Sequence, residues 1–246
     1  MHSDAAARPP PNHWNDVARW SDNAPLPLNL VAHVTYTHTS AHDVWPLLWS
    51  ELERFTRTPA VSFVLCINRL DARVPTWLRQ VVYDADVYGF GAKAAHCITA
   101  AARPYVLFVQ EDFIPLAPTN WTWISHAGRL LRGGRRRDTR SPSHDADDSQ
   151  QPGFVSLYPI SDRRQKWHPV SESDPALRTW HTFAIQPTLW RSGALLHILK
   201  EFSNSFNPFE LEQRVNSCET HGCRTHGRRA SLEAWLRASD RLPLAY

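Results

Sequence analysis

Two neighbouring carboxylates, Glu111 and Asp112, follow closely after an unbroken apolar run, residues 105–109. The run has the length of a strand and consists of valine, leucine and aromatic residues, which is typical of a strand buried on both faces of a parallel sheet. Acidic groups beyond the carboxyl end of such a strand lie where open α/β sheets bind ligands. Carboxylate oxygens suit Mg²⁺ or Mn²⁺. Acidic residues also cap turns and helices, and the pair alone fits both interpretations equally well.

A second group of polar side chains precedes this run. Asp84 and Asp86 end a predicted strand, and Lys93 follows Gly89 and Gly91 in the first turn of an alanine-rich predicted helix. A lysine at that place, beside free backbone N–H groups, is well positioned for a diphosphate. The two glycines do not form a dinucleotide-binding fingerprint, because the third glycine is absent. Asp86 also fits a simple strand-ending turn.

The hydrophobic pattern of the first half alternates strands with helices. Strands are predicted at residues 29–36, 61–68, 80–84 and 105–109, and helices at residues 40–55 and 90–101. This order predicts an α/β fold with a mostly parallel sheet flanked by helices, an architecture typical of nucleotide binding. The end of the first strand, with Thr35, Tyr36 and Thr37, would then hold the base and ribose of a nucleotide together with Asp84 or Asp86 at the end of the third.

The second half is predicted to continue the fold after a charged segment. Residues 132–152 are basic and then acidic without an apolar anchor, which indicates a mobile loop. Strands are predicted at residues 153–159 and 180–185, and helices at 188–202, with Pro187 in its first turn, and from residue 207 onward. Residues 1–28 are rich in proline and are predicted to form a flexible arm ahead of the body, residues 29–246.

Composition and hydropathy restrict the partners and the cellular location that the sequence predicts. The net charge of +3 demands no nucleic-acid partner. No apolar run approaches the roughly 20 residues of a membrane span, and no secretory h-region is visible, so a cytoplasmic location is predicted. In that reducing setting Cys66 and Cys97 are expected to be buried thiols. Cys218, Cys223 and the nearby histidines have zinc-like spacing, but the ligand pairs stand too close together for a usual structural site.

The order of these motifs resembles glycosyltransferases of the GT-A fold, in particular family 2 and its viral and bacterial relatives. Residues 88–101 and 105–112 follow the order of an N-x-G…A-R-N segment, a helix and a strand ending in D-x-D, with Gln110 at the first acid. Residues 182–190 are similar to an S-L-Q-P-x-I-W segment. Residues 208–212 are similar to P-W-x-x-E, with Phe209 at the tryptophan position.

The resemblance implies a metal-dependent, inverting transfer of a sugar from a nucleotide-diphosphate sugar to an acceptor hydroxyl. Asp112, helped by Glu111, would hold Mn²⁺ or Mg²⁺ against the departing diphosphate. Glu212 would be the general base, although it and Glu210 also fit first-turn acids that complement a helix dipole. Trp190 and His181 would shape the acceptor face, with core packing the more usual role of a tryptophan.

Two other classes of function also fit the sequence. Gln110 at the place of an expected acid is consistent with a nucleotide-sugar-binding module without catalysis. The arginines of residues 132–140 are consistent with a nucleic-acid binder on a Rossmann-like scaffold, although a solvated charge run is the commoner meaning of such a segment.

Overall fold

The computed structural model describes residues 24–132, 154–156, 168–171, 174–179 and 187–221. The predicted mobile loop and most of the predicted arm lie outside these residues, as do His181 with the strand predicted around it and most of the cysteine–histidine segment. The last part of the arm packs on the body: Leu26 is buried, and its backbone N–H donates to the Ser125 carbonyl at 2.8 Å.

A six-stranded sheet forms the centre of the protein. Four strands are parallel: β1 (Val31–Tyr36), β2 (Ser62–Ile67), β3 (Arg79–Val82) and β4 (Tyr105–Gln110). With β5 (Phe154–Ser156) and β8 (Thr188–Arg191) the strand order is β3-β2-β1-β4-β8-β5. β6 (His168–Ser171) and β7 (Asp174–Thr179) form a separate antiparallel pair. The predicted α/β class with a mostly parallel sheet is confirmed.

One predicted element has the wrong type. Residues 188–191 form strand β8, antiparallel to β4 and to β5, and the helix expected from residue 188 begins only at Ser192. The strand is favoured because Leu189 and Trp190 are both fully buried on opposite faces of the sheet, against different helices. Pro187 therefore precedes a strand and does not begin a helix.

Helices cover both faces of the sheet. One face packs against α2 (Phe90–Ala101), α4 (Ser192–Glu201) and α5 (Pro208–His221). The other packs against α1 (Trp45–Glu51), which continues as a π-helical turn to Thr56, and α3 (Trp121–Gly128). The residues of β4 from Tyr105 to Val109 are all buried, as the sequence predicts for a strand covered on both faces. Among the described residues, no helix combines the length and apolar character required to cross a bilayer.

A disulfide joins the sheet to the helix that covers it. Cys66 of β2 and Cys97 of α2 are both fully buried and are bonded to each other, with 5.7 Å between their Cα atoms. Both cysteines are buried as expected, but they form a disulfide and are not free thiols. The crossover of α2 brings these cysteines together although they are 31 residues apart in the sequence. Disulfides are typical of oxidising compartments. The bond argues against the predicted cytoplasmic location.

We expect this disulfide to stabilise the fold by restricting the unfolded chain. Closing a loop of this length contributes about 3–4 kcal/mol to the free energy of unfolding. Reductant should therefore lower the stability of the wild-type protein in urea titrations by that amount. A Cys66→Ala/Cys97→Ala variant should already have the lower stability and should not respond to reductant. Alkylation of both residues in unfolded, unreduced protein would contradict the assignment.

A buried histidine makes the fold sensitive to acid. His33 of β1 is 3 % exposed and stacks on Phe63 with 5.1 Å between the ring centres. Burial lowers its pKa from 6.5 to about 4, because the charged ring would lose its hydration. Between these values the unfolded chain binds a proton that the folded protein does not. Stability is therefore complete above pH 6.5 and is lost as pH falls toward 4.

This linkage predicts a loss of about 2 kcal/mol in the free energy of unfolding between pH 7 and pH 5. His33→Phe, which keeps an aromatic ring without a titrating group, should remove most of the decrease in urea titrations at the two pH values. His126→Gln, which changes an exposed histidine, should show the same decrease as the wild-type protein. An unchanged pH dependence in His33→Phe would show that other groups cause the loss.

Candidate functional site

The sheet has a topological switch point between β1 and β4. From β1 the chain proceeds outward through β2 to β3, then crosses back to place β4 on the other side of β1. Tyr36 and Gln110 are paired at the carboxyl ends of these two strands. In open α/β sheets the crevice outside such a pair of ends is the usual place for a ligand. Tyr36 ends β1, and Glu111 and Asp112 directly follow β4, so these three predicted candidates lie at this edge of the sheet.

Three aromatic rings connect the ends of β1 and β3 with the start of α2. Tyr36 stacks on Tyr83, with ring centres 5.3 Å apart and planes 5° from parallel, and it meets the edge of Phe90 at 4.9 Å. The Tyr83 hydroxyl donates to the Thr37 carbonyl at 3.1 Å. The rings therefore hold three separate segments together at the carboxyl edge of the sheet.

Burial sets the protonation of this cluster. It raises the pKa of Tyr36 far above the ordinary value, and the neighbouring Tyr83 and Glu111 raise it further. The pKa of Tyr83 is also raised, mainly by burial. Burial raises the pKa of Glu111, and the nearby charge of Asp112 adds to this effect. Both phenols therefore stay neutral.

A pocket of about 310 Å³ opens beside the aromatic cluster. It lies between the end of β1, the loop from β3 to α2, and the beginning of α5. Its polar members include Lys93, Asp86 and Asn207, and its aromatic members are Tyr36, Tyr88, Phe90 and Phe206. A second pocket of similar volume lies on the other side of Lys93 and includes Tyr83, Asp84 and His96. Lys93 thus borders both spaces, and its Nζ atom lies 5.6 Å from the centre of the Tyr83 ring.

Two of the backbone N–H groups that the sequence predicts to be free at the beginning of α2 have partners in the structure. The backbone N–H of Phe90 donates to the Ser205 carbonyl at 2.6 Å, and that of Ala92 donates to the Ser203 carbonyl at 3.1 Å. The turn after α4 therefore occupies two donors of the expected anion site, and the Lys93 side chain still lines the pocket as a candidate partner for a phosphate.

The glycines at this helix end permit a close approach of backbone to backbone. Gly89 has φ +94°, and a Cβ atom there would lie 2.1 Å from the Ser203 carbonyl oxygen. A Cβ atom at Gly91 would lie 2.6 Å from the Phe202 carbonyl oxygen. Both glycines are therefore required by the contact with the turn after α4.

The three predicted nucleotide-binding residues of β1 and its end are not equivalent. Only Tyr36 lines the pocket. The fully buried Thr35 has its hydroxyl 3.5 Å from Nδ1 of His33, on the opposite face of the strand from Tyr36. The fully buried Thr37 accepts a hydrogen bond from the Trp45 indole at 3.1 Å. Both threonines therefore make contacts inside the fold and do not line the pocket.

The two aspartates after β3 lie at different pockets. Asp84 borders the second pocket and Asp86 the first, and the Asp84 carboxylate accepts a hydrogen bond from the Asp86 backbone N–H at 2.9 Å. This bond closes a short Asx turn. Both side chains are exposed, so each remains available to a ligand.

The two predicted metal ligands differ in exposure. Glu111 is half-buried and Asp112 is exposed. Within residues 24–132 and the other described segments, no three His, Cys, Asp or Glu side chains form a metal-binding group. The adjacent carboxylates fit a hard divalent ion that takes its other ligands from water and substrate phosphates, which is the usual arrangement for Mg²⁺.

The two glutamates of α5 have different surroundings. The Glu210 carboxylate accepts a hydrogen bond from the Phe206 N–H at 2.5 Å, and the Asn207 side chain accepts one from the Glu210 N–H at 2.8 Å. This reciprocal capping, with an ion pair to Arg214 at 3.0 Å, makes Glu210 part of the helix start. Glu212 is half-buried and borders neither pocket. Trp190 lies in the core, which leaves it no acceptor surface.

Four residues that border the two pockets, Tyr83, Tyr88, Phe206 and Asn207, are not among the site residues predicted from the sequence. Tyr83 could have been found from its position at the end of a strand. Phe206 and Asn207 carry no local signal, because only the folded chain brings the beginning of α5 to the loop after β3.

Comparison with protein-family models gives no match to this chain, and comparison with curated proteins gives none either.

We expect Gly91→Ala to be destabilising by about 1–3 kcal/mol, because the added methyl group must displace backbone that cannot move freely. Gly193→Ala is the matched control: a Cβ atom there meets nothing within 4 Å, so alanine in α4 should be neutral or stabilising by up to about 1 kcal/mol. Urea titrations of the two variants measure the difference. Equal effects would mean that the close approach at Gly91 is not needed.

Proposed function

We propose that the protein is a metal-dependent, inverting glycosyltransferase with a GT-A-like fold, which transfers a sugar from a nucleotide-diphosphate sugar to an acceptor hydroxyl. The observation that carries the proposal is the pocket beside the carboxyl ends of β1 and β3, where aromatic rings, an aspartate and a lysine surround one space. These groups match the base, ribose and phosphate of a nucleotide. The motif order that resembles family 2 transferases supports the same conclusion.

In this proposal each part of the donor has a partner. The Asp86 carboxylate accepts hydrogen bonds from ribose hydroxyls, and the Lys93 ammonium balances phosphate charge. Glu111 and Asp112 lie beyond the adjacent β4, where the diphosphate would leave. A divalent ion held by Asp112 with Glu111 supplies Lewis-acid stabilisation of the departing diphosphate when bound.

The transfer itself requires a carboxylate that accepts a proton. The acceptor hydroxyl loses its proton to the base while its oxygen bonds to the anomeric carbon, and the bond from that carbon to the diphosphate oxygen breaks. One such displacement inverts the anomeric configuration. Glu212 is the proposed base, on the helix whose first residue, Pro208, borders the pocket. The mobile loop at residues 132–152 remains a prediction.

A binding module without catalysis is the second candidate. Two observations favour it: Gln110 replaces the first acid of D-x-D, and Glu212 does not border the pocket. Such a protein would bind nucleotide sugars through the same residues and leave them intact.

Turnover of nucleotide sugars by the full chain distinguishes the two candidates. With Mn²⁺ and a panel of UDP-, GDP- and dTDP-sugars, we expect release of the nucleoside diphosphate, detected by chromatography. Glu212→Gln should lower kcat by about 10²–10⁴-fold, the usual contribution of a general base, without weakening donor binding. Glu201→Gln changes an exposed acid at the end of α4 and should leave turnover unchanged.

Two results of this assay would change the proposal. Full activity in Glu212→Gln would show that the base is another group. Donor binding by the wild-type protein without any release of nucleoside diphosphate would favour the binding module.

A further inference from the structure

Two exposed aromatic side chains stand at the pocket beside Lys93. Tyr88, in the loop after β3, and Phe206, before α5, are each 71 % exposed, and both line the same space. Exposed aromatic side chains gathered at a pocket indicate a binding surface, since water is an unfavourable neighbour for their faces. Neither residue has a role in the core, and Phe206 also lies outside the motifs that suggested the function.

The backbone around both rings is held in place before any ligand arrives. The Phe206 N–H donates to Glu210, and the carbonyl of the fully buried Ser205 accepts the hydrogen bond from Phe90. On the other side, Tyr88 precedes Gly89, which touches the Ser203 backbone. The segments that carry the two rings are thus bound to each other. A prepared surface of this kind reduces the entropy that a ligand must overcome.

We propose that Tyr88 and Phe206 form the stacking surface for the nucleobase of the donor. This inference rests on the proposed function and identifies the part of the substrate that this pocket holds. A nucleotide joins a planar ring, a diol and an anionic phosphate, and the pocket offers aromatic faces, the Asp86 carboxylate and the Lys93 ammonium. Every base has a π face, so stacking fixes the nucleotide without reading its identity.

The lysine favours a nucleotide over the acceptor sugar as the occupant. An acceptor glycan could also pack its C–H faces on Tyr88 and Phe206. A neutral sugar, however, gives no partner of opposite charge to Lys93, whereas the phosphates of a nucleotide do. Asp86 on the same pocket then accepts from the ribose hydroxyls that lie between base and phosphate.

Calorimetric titration of the full chain with UDP, CDP, ADP and GDP in the presence of Mn²⁺ tests the assignment, with pyrophosphate as the probe that lacks a base. Tyr88→Ala and Phe206→Ala should each weaken binding of the nucleoside diphosphates by about 5- to 100-fold, the effect of losing a base–aromatic stack. Binding of pyrophosphate should not change. Lys93→Met should weaken both kinds of ligand, because it removes the phosphate partner.

Phe209→Ala is the matched control, because this ring is 66 % exposed three residues away and does not line the pocket. It should bind like the wild type, and Phe206→Trp should retain most of the affinity. Unchanged nucleotide binding in both alanine variants overturns the inference. So does an effect confined to the KM of the acceptor, which would make the rings an acceptor surface.

The same titrations separate this inference from the proposed function. Ring-dependent nucleotide binding without sugar transfer supports the stacking surface and overturns only the transferase. If the wild-type protein binds none of the four nucleoside diphosphates, the stacking surface is overturned together with the nucleotide-dependent function.

Discussion

The contact between the beginning of α2 and the turn after α4 is the constraint on which the candidate site depends. Two hydrogen bonds, from Phe90 to Ser205 and from Ala92 to Ser203, join backbone to backbone there. The contact needs glycine at positions 89 and 91, since side chains would collide with the turn. It occupies two helix-end N–H groups that would otherwise be free for an anion. In exchange it places the loop after β3 beside the start of α5, and so forms the pocket.

Much of the sheet could be predicted because its strands are read from local composition. The apolar runs that form β1, β2 and β4 leave little alternative to burial, and their order with the intervening helices specifies a parallel arrangement. Residues 188–191 were misassigned because four residues after a proline give no clear period, and only burial on both faces of the sheet makes them a strand. Tertiary packing decided that element.

A site residue could be predicted only where its position within a single element indicates its role. Tyr36, Asp86 and Lys93 follow from their places at strand ends and at the start of a helix, and the structure brings them to one pocket. The exposed ring of Phe206 becomes a neighbour of these residues only through the α2 contact. The disulfide illustrates the same limit: Cys66 and Cys97 each look like apolar core residues, and their bond follows from the crossover of α2 onto the sheet.

The position of β8 has a consequence for the order in which the protein can assemble during synthesis. β5 pairs with β8 among the described strands, yet β5 emerges from the ribosome more than 30 residues earlier. The parallel core of β1 to β4 can form first, but the edge of β4 stays unpaired until β8 arrives, and β5 waits for the same event. Unpaired strand edges in a partly made chain favour aggregation. Closure of the sheet by a late, antiparallel strand therefore makes the final third of the chain decisive for productive folding.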